Sequence, residues 1–222
     1  MRMLDSVRES IEAYKRNDPA ARSAWEIVLL YSGFHATQQH RLAHWLHTHD
    51  MKFAARAVSQ FTRLTTGIEI HPGAKIGRRL VIDHGSGVVI GETVEIGDDC
   101  LIYQGATLGG AGITCGKRHP TLGNNVMVGS GAKVLGPFKV GDNAKIAANA
   151  VVLESVPANS TAVGVPARIV KQDGKRTLDL DQVHIPDPVS QELCRDKVEI
   201  EKLKKRIEKL ERLLEEKYSE ER

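Results

Sequence analysis

The sequence predicts a solenoid of short parallel strands, preceded by helices and followed by one charged helix. Three observations carry this reading: aliphatic residues recur every six positions over residues 66–170, apolar residues recur at helical spacing before them, and residues 190–222 hold a heptad seam. A period of six fits neither a helix of about 3.6 residues per turn nor the period of about two of a simple strand. It fits stacked coils in which each strand gives one inward aliphatic residue and a turn follows.

Residues 1–65 read as a helical domain. Asn17, Asp18 and Pro19 suggest a helix start, with Asp18 as N-cap and Pro19 in the first turn. Ile27, Leu30 and Tyr31, then Leu42, Trp45 and Leu46, keep helical spacing, and Gly33 is expected to break two helices apart. Phe53, Ala57, Phe61 and Leu64 suggest a further helix before Gly67.

Residues 66–170 hold three aliphatic series: Ile70, Ile76, Ile82; Ile90, Ile96, Ile102, Leu108; and Leu122, Val128, Val134, Val140, Ile146, Val152. Gly often follows directly, and a smaller residue stands four positions on, as at Ala74, Cys100, Ala106, Ala132, Ala144 and Ala150. The register breaks twice. From Ile82 to Ile90 the step is eight, so two residues are inserted around Asp83-His84-Gly85-Ser86-Gly87. From Leu108 to Leu122 the step is fourteen, two more than two repeats, across a Gly-rich stretch ending in Arg118-His119-Pro120. That stretch is expected to leave the solenoid as a loop, and loops on a rigid scaffold are where sites sit.

Residues 171–189, with Pro186 and Pro188, read as a linker. In residues 190–222, Leu193, Ile200, Leu203, Ile207, Leu210 and Leu214 follow alternating steps of three and four, interrupted by Asp196. This is a coiled-coil seam and implies self-association. Ile at a with Leu at d leans towards two strands, whereas a three-sided solenoid favours three; the sequence leaves both open.

Composition narrows the function. The chain has 222 residues, 31 basic against 28 acidic, a net charge of +3 too balanced to suggest nucleic acid or a membrane surface. Cys100, Cys115 and Cys194 form no CxxC pair, so neither a disulfide framework nor a zinc ribbon is indicated. The start, MRMLDSVRES, lacks the apolar stretch of a signal peptide, and no apolar run approaches the roughly 18 residues of a membrane span. A cytoplasmic protein is expected.

The hexapeptide series resembles the left-handed parallel β-helix acyltransferases; the left hand is implied by the resemblance, since the general crossover preference is right-handed. Within that group, Gly33-Phe34-His35-Ala36, Ile70-His71-Pro72, Asp83-His84-x-x-Gly87, Gly91-Glu92, Thr107-Leu108-Gly109-Gly110, Arg118-His119-Pro120 and Gly164-Val165-Pro166-Ala167-Arg168 resemble the serine acetyltransferases from about Asp18 to Val170. The resemblance implies transfer of acetyl from acetyl-CoA to L-serine. A hydroxyl needs a base to attack a thioester, and an imidazole titrates near neutrality; by resemblance the base is His84. Its orienting carboxylate would be Glu69, where the family usually has Asp. Asp18 and Asp83 would bind the ammonium of serine. Arg118 and His119 would bind its carboxylate, for which a guanidinium offers a planar fork. Gly110, Ser130 and Ala148 would line a CoA groove between subunits, with Lys145, Arg168 and Lys171 near its phosphates. Cys115 is not expected to act as a nucleophile, because no neighbour in sequence marks an activating base.

Three other readings compete: a hexapeptide acyltransferase for a sugar or another amino acid, a zinc lyase using His71, His84 and His119, and a scaffold whose working part is the coiled coil. No metal is expected. The resemblance implies homo-oligomers, trimers with a possible pairing into hexamers. Many members bind cysteine synthase through a tail ending in Ile; this sequence ends Ser219-Glu220-Glu221-Arg222, so that complex is not expected in its usual form.

Overall fold

The computed structural model describes residues 3–112 and 116–170 and, in the C-terminal segment, residues 196–197, 199–204 and 206–207. Four helices come first: α1 (Met3–Asn17), α2 (Ala24–Leu30), α3 (Ser32–Thr48) and α4 (Lys52–Thr66). Asp18 does not start a helix. It lies just beyond α1, and the N-cap of α2 is Ser23, whose Oγ accepts the Glu26 N–H at 3.1 Å. Ser23-x-x-Glu26 has the capping-box sequence, with Glu26 accepting the N–H of Arg22, just before the cap, and it outcompetes the Asp-Pro step five residues earlier.

Gly33 does not break the helices either. The break falls at Tyr31, and Gly33 lies inside α3, where its bare Cα lets the helix sit against the Ile82 carbonyl and the Tyr14 hydroxyl. The helical periodicity of α3 and α4 is as read, but the buried face is the opposite one. Phe53, Phe61 and Leu64 are exposed, as are Leu42 and Trp45, while Ala36, Ala43, Ala55, Ser59 and Thr62 are buried. Small residues let these helices approach each other and the first strand closely, as where Ser59 donates to the Ile70 carbonyl at 2.7 Å.

The strands form five coils. The first holds β1 (Glu69–Ile70), β2 (Lys75–Ile76) and β3 (Val81–Asp83); the second β4 (Val89–Ile90), β5 (Glu95–Ile96) and β6 (Leu101–Tyr103). The third holds β7 (Thr107–Gly109), β8 (Thr121–Leu122) and β9 (Met127–Val128); the fourth β10 (Lys133–Leu135), β11 (Lys139–Val140) and β12 (Lys145–Ile146). The last has β13 (Val151–Val152), a bridge at Val156, and β14 (Thr161–Val163), after which β15 (Arg168–Val170) returns antiparallel to β14.

These strands make three faces: β1-β4-β7-β10-β13, β2-β5-β8-β11, and β3-β6-β9-β12-β14-β15. All pairings except the last are parallel and in register, with Ile70 on Ile90, Ile96 on Leu122 and Ile102 on Val128. The hexapeptide aliphatics form the core, and Ala74, Cys100, Ala106, Ala132, Ala144 and Ala150 are buried in the turns beside them. The fold is a parallel β-helix with a helical N-terminus. The described residues between 196 and 207 are helical and belong to a second compact unit.

Register locates both breaks. Asp83 pairs with Tyr103, and the next equivalent residues are Ser86 and Gln104, whose carbonyls accept the N–H groups of Gly105 and Gly131. The two inserted residues are therefore His84 and Gly85. At the second break, Ile90 pairs with Leu108 and Ile96 with Leu122. A single turn of the second coil thus corresponds to the whole stretch from Leu108 to Leu122. The insertion is one turn lengthened by eight residues, not two repeats with two added.

Candidate active site

The two breaks fall at different corners of the triangular coil. The first corner joins face one to face two; the third joins face three back to face one. His84 stands at the third corner, between β3 and β4. Its φ is 57° and that of Gly85 is 47°, the left-handed region that side chains other than Gly, Asn and Asp rarely adopt. The turn pushes the imidazole outward, and its side chain is 73% exposed.

Around it is an acidic group. Asp83 Oδ1 lies 3.9 Å from His84 Nε2. Asp18 is close enough to raise the Asp83 pKa; partial burial is the larger cause, and the charge of His84 opposes both. Tyr31 donates to Asp18 Oδ2 at 2.6 Å, while Asp18 Oδ1 accepts the Ala20 N–H at 2.8 Å. Desolvation, then the hydrogen bond to Asp18, pushes the Tyr31 hydroxyl up to about 12, so it stays a donor at neutral pH. Beneath it, Tyr14 bonds the backbone of Ile82 and meets Tyr31 edge-on with ring centroids 5.6 Å apart. Helices α1 and α2 thus hold Asp18 against the end of β3.

The first corner carries the opposite chemistry. Arg118 donates to Glu92 Oε2 at 2.6 Å, and this bond is the largest cause of the lowered Glu92 pKa. Thr93 is the hub. Its Oγ1 accepts the backbone N–H groups of Arg118 and His119 at 3.1 and 3.2 Å and lies 2.8 Å from His119 Nδ1. The Thr93 N–H also donates to that Nδ1, at 3.3 Å. With Nδ1 accepting, the ring proton belongs on Nε2. Desolvation, then the neighbouring Arg118 charge, lowers the His119 pKa and keeps the ring neutral. Its Nε2 edge packs against Gly91 and Gly110, where a side chain would collide with the imidazole or crowd it. An open cleft of about 380 Å³ adjoins this corner, lined by His47, Gly73, Glu92, Thr93 and Lys117 among others.

The remaining sequence-predicted residues divide between the same corners. Ser130 and Ala148 stack above Ser86 and Gln104 at the third corner, while Gly110 lies at the first. Lys145 is on β12 and Arg168 on β15; both have partners within the chain. Lys171 and Cys115 lie outside the described residues. Glu69 is the outward residue of β1, paired with Arg56 at 3.3 Å and Arg63 at 3.4 Å. No hydrogen bond or ion pair joins it to His84 among the described residues. The zinc reading needs three converging histidines, but His71 and His119 belong to the first corner and His84 to the third. His71 Nδ1 is occupied by the Gly73 N–H at 3.1 Å, and no group of three ligating side chains fit for a metal occurs among the described residues. The buried Cys100 thiol is pushed up to about 12, chiefly by desolvation, so it is no nucleophile at neutral pH.

Sequence reasoning missed Tyr31, Thr93 and a role for Glu92. Gly91-Glu92-Thr93 was legible as a string, but nothing in it shows that the hydroxyl caps a loop 25 residues on. Tyr31 sits at a helix junction that helical spacing hides.

Repeat, faces and outward corner loops define a hexapeptide-repeat transferase, and the profile of bacterial transferase hexapeptide (six repeats) matches residues 119–154. The chain belongs to the serine acetyltransferase family: it is 53% identical over 201 residues to the serine acetyltransferase of Staphylococcus aureus strain Mu50, covering 90% of this chain and 94% of that one. Two solved structures agree. A serine acetyltransferase in complex with cysteine superposes with a TM-score of 0.79 at 43% identity, covering 82% of this chain and 72% of that one. A serine acetyltransferase in complex with CoA gives 0.72 at 43% identity, covering 75% and 69%.

Proposed function

We propose that this chain transfers the acetyl group of acetyl-CoA to the hydroxyl of L-serine, giving O-acetyl-L-serine and CoA, a step of cysteine biosynthesis. The observation that carries the reading is the pair of opposed corners. Asp18 and Asp83 suit an ammonium beside an exposed imidazole; Arg118 and the His119 Nε2–H suit a carboxylate. Serine carries both charges on one small carbon frame, so it must touch both groups at once. Since they stand at different corners of the solenoid, a complete site needs the third corner of one copy against the first corner of another. The CoA residues divide in the same way, with Ser130 and Ala148 on one side of the groove and Gly110 on the other. Homo-oligomers follow, and the exposed apolar faces of α2–α4 give the helices a surface for further association.

In this reading His84 takes the serine proton as the oxygen attacks the thioester carbon. Backbone N–H groups receive the oxyanion, the C–S bond breaks, and the proton passes from His84 to the leaving thiolate. Glu69 orients the ring: it lies on the outward side of β1, at the edge of the corner that carries His84, and exchanges an arginine for the imidazole when the site is assembled. Lys145, Arg168 and Lys171 neutralise CoA phosphates. The reading assigns the enzyme to the cytoplasm; no described helix is long and apolar enough to cross a membrane.

The test is thiol release from acetyl-CoA with L-serine, L-homoserine and a simple sugar in parallel, for wild type and His84→Ala. Serine alone should drive turnover, and the variant should lose about 10²- to 10⁴-fold in kcat while still binding acetyl-CoA. Turnover with the sugar and none with serine would overturn the acceptor; an unchanged kcat in the variant would overturn the base.

A further inference from the structure

We infer that Thr93 is a positioning residue that selects the carboxylate of the acceptor, because its hydroxyl fixes His119 as an Nε2–H donor. Thr93 Oγ1 has two lone pairs and one proton. The lone pairs are taken by the backbone N–H groups of Arg118 at 3.1 Å and His119 at 3.2 Å. The proton is left for His119 Nδ1, at 2.8 Å. The Thr93 N–H reaches the same nitrogen at 3.3 Å. A proton on Nδ1 would face that N–H and would set three donors against the two lone pairs of the hydroxyl. The ring is therefore held in one tautomer and one orientation. The other end of the residue is tied too, since Lys117 Nζ donates to the Thr93 carbonyl at 2.7 Å.

The opposite edge of the ring is the one left for a ligand. His119 is only 7% exposed. No hydrogen bond occupies its Nε2 among the described residues. Of those residues, only Gln38 Nε2 and His40 Nδ1 are fully buried without a partner, so His119 Nε2 keeps an opening to solvent. A Cβ on Gly110 would lie 3.2 Å from both His119 Nε2 and Arg118 Cγ, so the two side chains share this neighbour. Two donors side by side match the two acceptor oxygens of a carboxylate. A carboxamide has one such oxygen and sets its NH2 against the second donor. With the tautomer reversed, Nε2 would present a lone pair to the carboxylate and repel it. The tautomer follows from the geometry alone; that the carboxylate is that of serine rests on the proposed function.

Thr93→Val and Thr93→Ser in the full chain test this. Valine keeps the branched shape and removes the hydroxyl; serine keeps the hydroxyl. Thr93→Val should raise the serine KM about tenfold, the scale of one charge-assisted hydrogen bond, with the acetyl-CoA KM unchanged. Turnover of L-serinamide, however slow, should hardly change, so the preference for serine over its amide should fall by the same factor. Thr93→Ser should stay within about twofold of wild type on both acceptors. A merely structural role would instead slow both acceptors equally. The tautomer is read without substrate, by solid-state nitrogen NMR of protein carrying isotope-labelled histidine, with His119 assigned by difference from His119→Gln. Wild type and Thr93→Ser should show His119 protonated at Nε2 alone, and Thr93→Val a mixture. Equal loss with serine and serinamide, or a His119 signal in Thr93→Val identical to wild type, would overturn the inference. A wild type inert towards serine would overturn the proposed acceptor, and the NMR comparison would still decide whether Thr93 sets the ring.

Discussion

The third and first corners both carry an insertion, yet one leaves its imidazole in solvent while the other is tied down. At the third corner the two extra residues include His84, whose φ is 57° and whose ring faces solvent. Among the described residues, Asp83 and Asp18 have no ion pair other than that of Asp83 with His84, and burial raises the Asp83 pKa. At the first corner the end of the inserted stretch, Arg118-His119, is held on Thr93, and Arg118 is paired with Glu92. In the proposed function the acid side accepts a cation and a proton, and the basic side holds a carboxylate in one orientation. Neither corner can do both.

The sharpest way to break this comparison is to inactivate each corner in a different copy. His84→Ala and Arg118→Ala should each be nearly inactive alone. Co-expressed at equal amounts, they should recover about a quarter of wild-type activity, because random neighbours bring one intact third corner to one intact first corner in about one site in four. No recovery in oligomers shown by mass to contain both variants would mean that each copy completes its own site.

The next largest effect should come from Glu69→Gln. Its two arginine pairs are partly exposed, so their loss should change stability by only about 0–1 kcal/mol. As the orienter it should matter far more to rate, and kcat should fall by about 10²-fold, less than complete loss of an orienting carboxylate because Asp83 remains close. Denaturant unfolding and kcat on the same preparation separate the two. A kcat unchanged with stability slightly reduced would leave Asp83 as the carboxylate beside His84.

Arg118→Lys tests the other side. Lysine keeps the charge but loses the fork, so the serine KM should rise about tenfold with kcat little changed, as expected for about 1.4 kcal/mol of lost charge-assisted bonding. The fixed charge of Glu92 also gives a pH signature. Its folded pKa lies below the ordinary glutamate value, so the pair adds stability above that range and loses it as pH falls through the folded value. Asp83 runs the other way: its raised pKa means that serine binding should weaken first at the acid corner as pH falls. Asp83→Asn should raise the serine KM at neutral pH and flatten that dependence.

How much of this was legible in the sequence follows from the range of the forces. The hexapeptide period survives in the sequence because each inward residue must fill the same slot in the next coil, so register and core were readable residue by residue. The position of the His84 insertion was readable for the same reason. The eight-residue insertion was not, because a lengthened turn and two skipped strands leave nearly the same count. The helices were readable as helices, but their buried face was not. Periodicity reports where the large apolar residues are, and here the small ones pack inward. Asp18 was legible as a site residue only through resemblance, since an Asp before Pro suits a helix start equally well and the competing cap at Ser23 decides the matter.

Tyr31→Phe should have the smallest effect and is the most specific to the third corner. The phenol hydroxyl is the one side-chain donor to the Asp18 carboxylate among the described residues, at 2.6 Å. Removing it keeps the ring in its edge-on contact with Tyr14, so the packing of α1 and α2 on β3 should hold. What is lost is the bond that fixes Asp18 beside Asp83. A hydrogen bond to a charged group contributes about 1.5–3 kcal/mol, but the freed carboxylate regains water at this half-exposed position, so about 0.5–1 kcal/mol should reach substrate binding. The serine KM should rise about three- to fivefold, with kcat and the acetyl-CoA KM nearly unchanged. A purely structural role for Tyr31 would instead lower thermal stability and leave the serine KM alone. Rise in the serine KM without loss of stability would place Tyr31 in the recognition of the ammonium at the third corner.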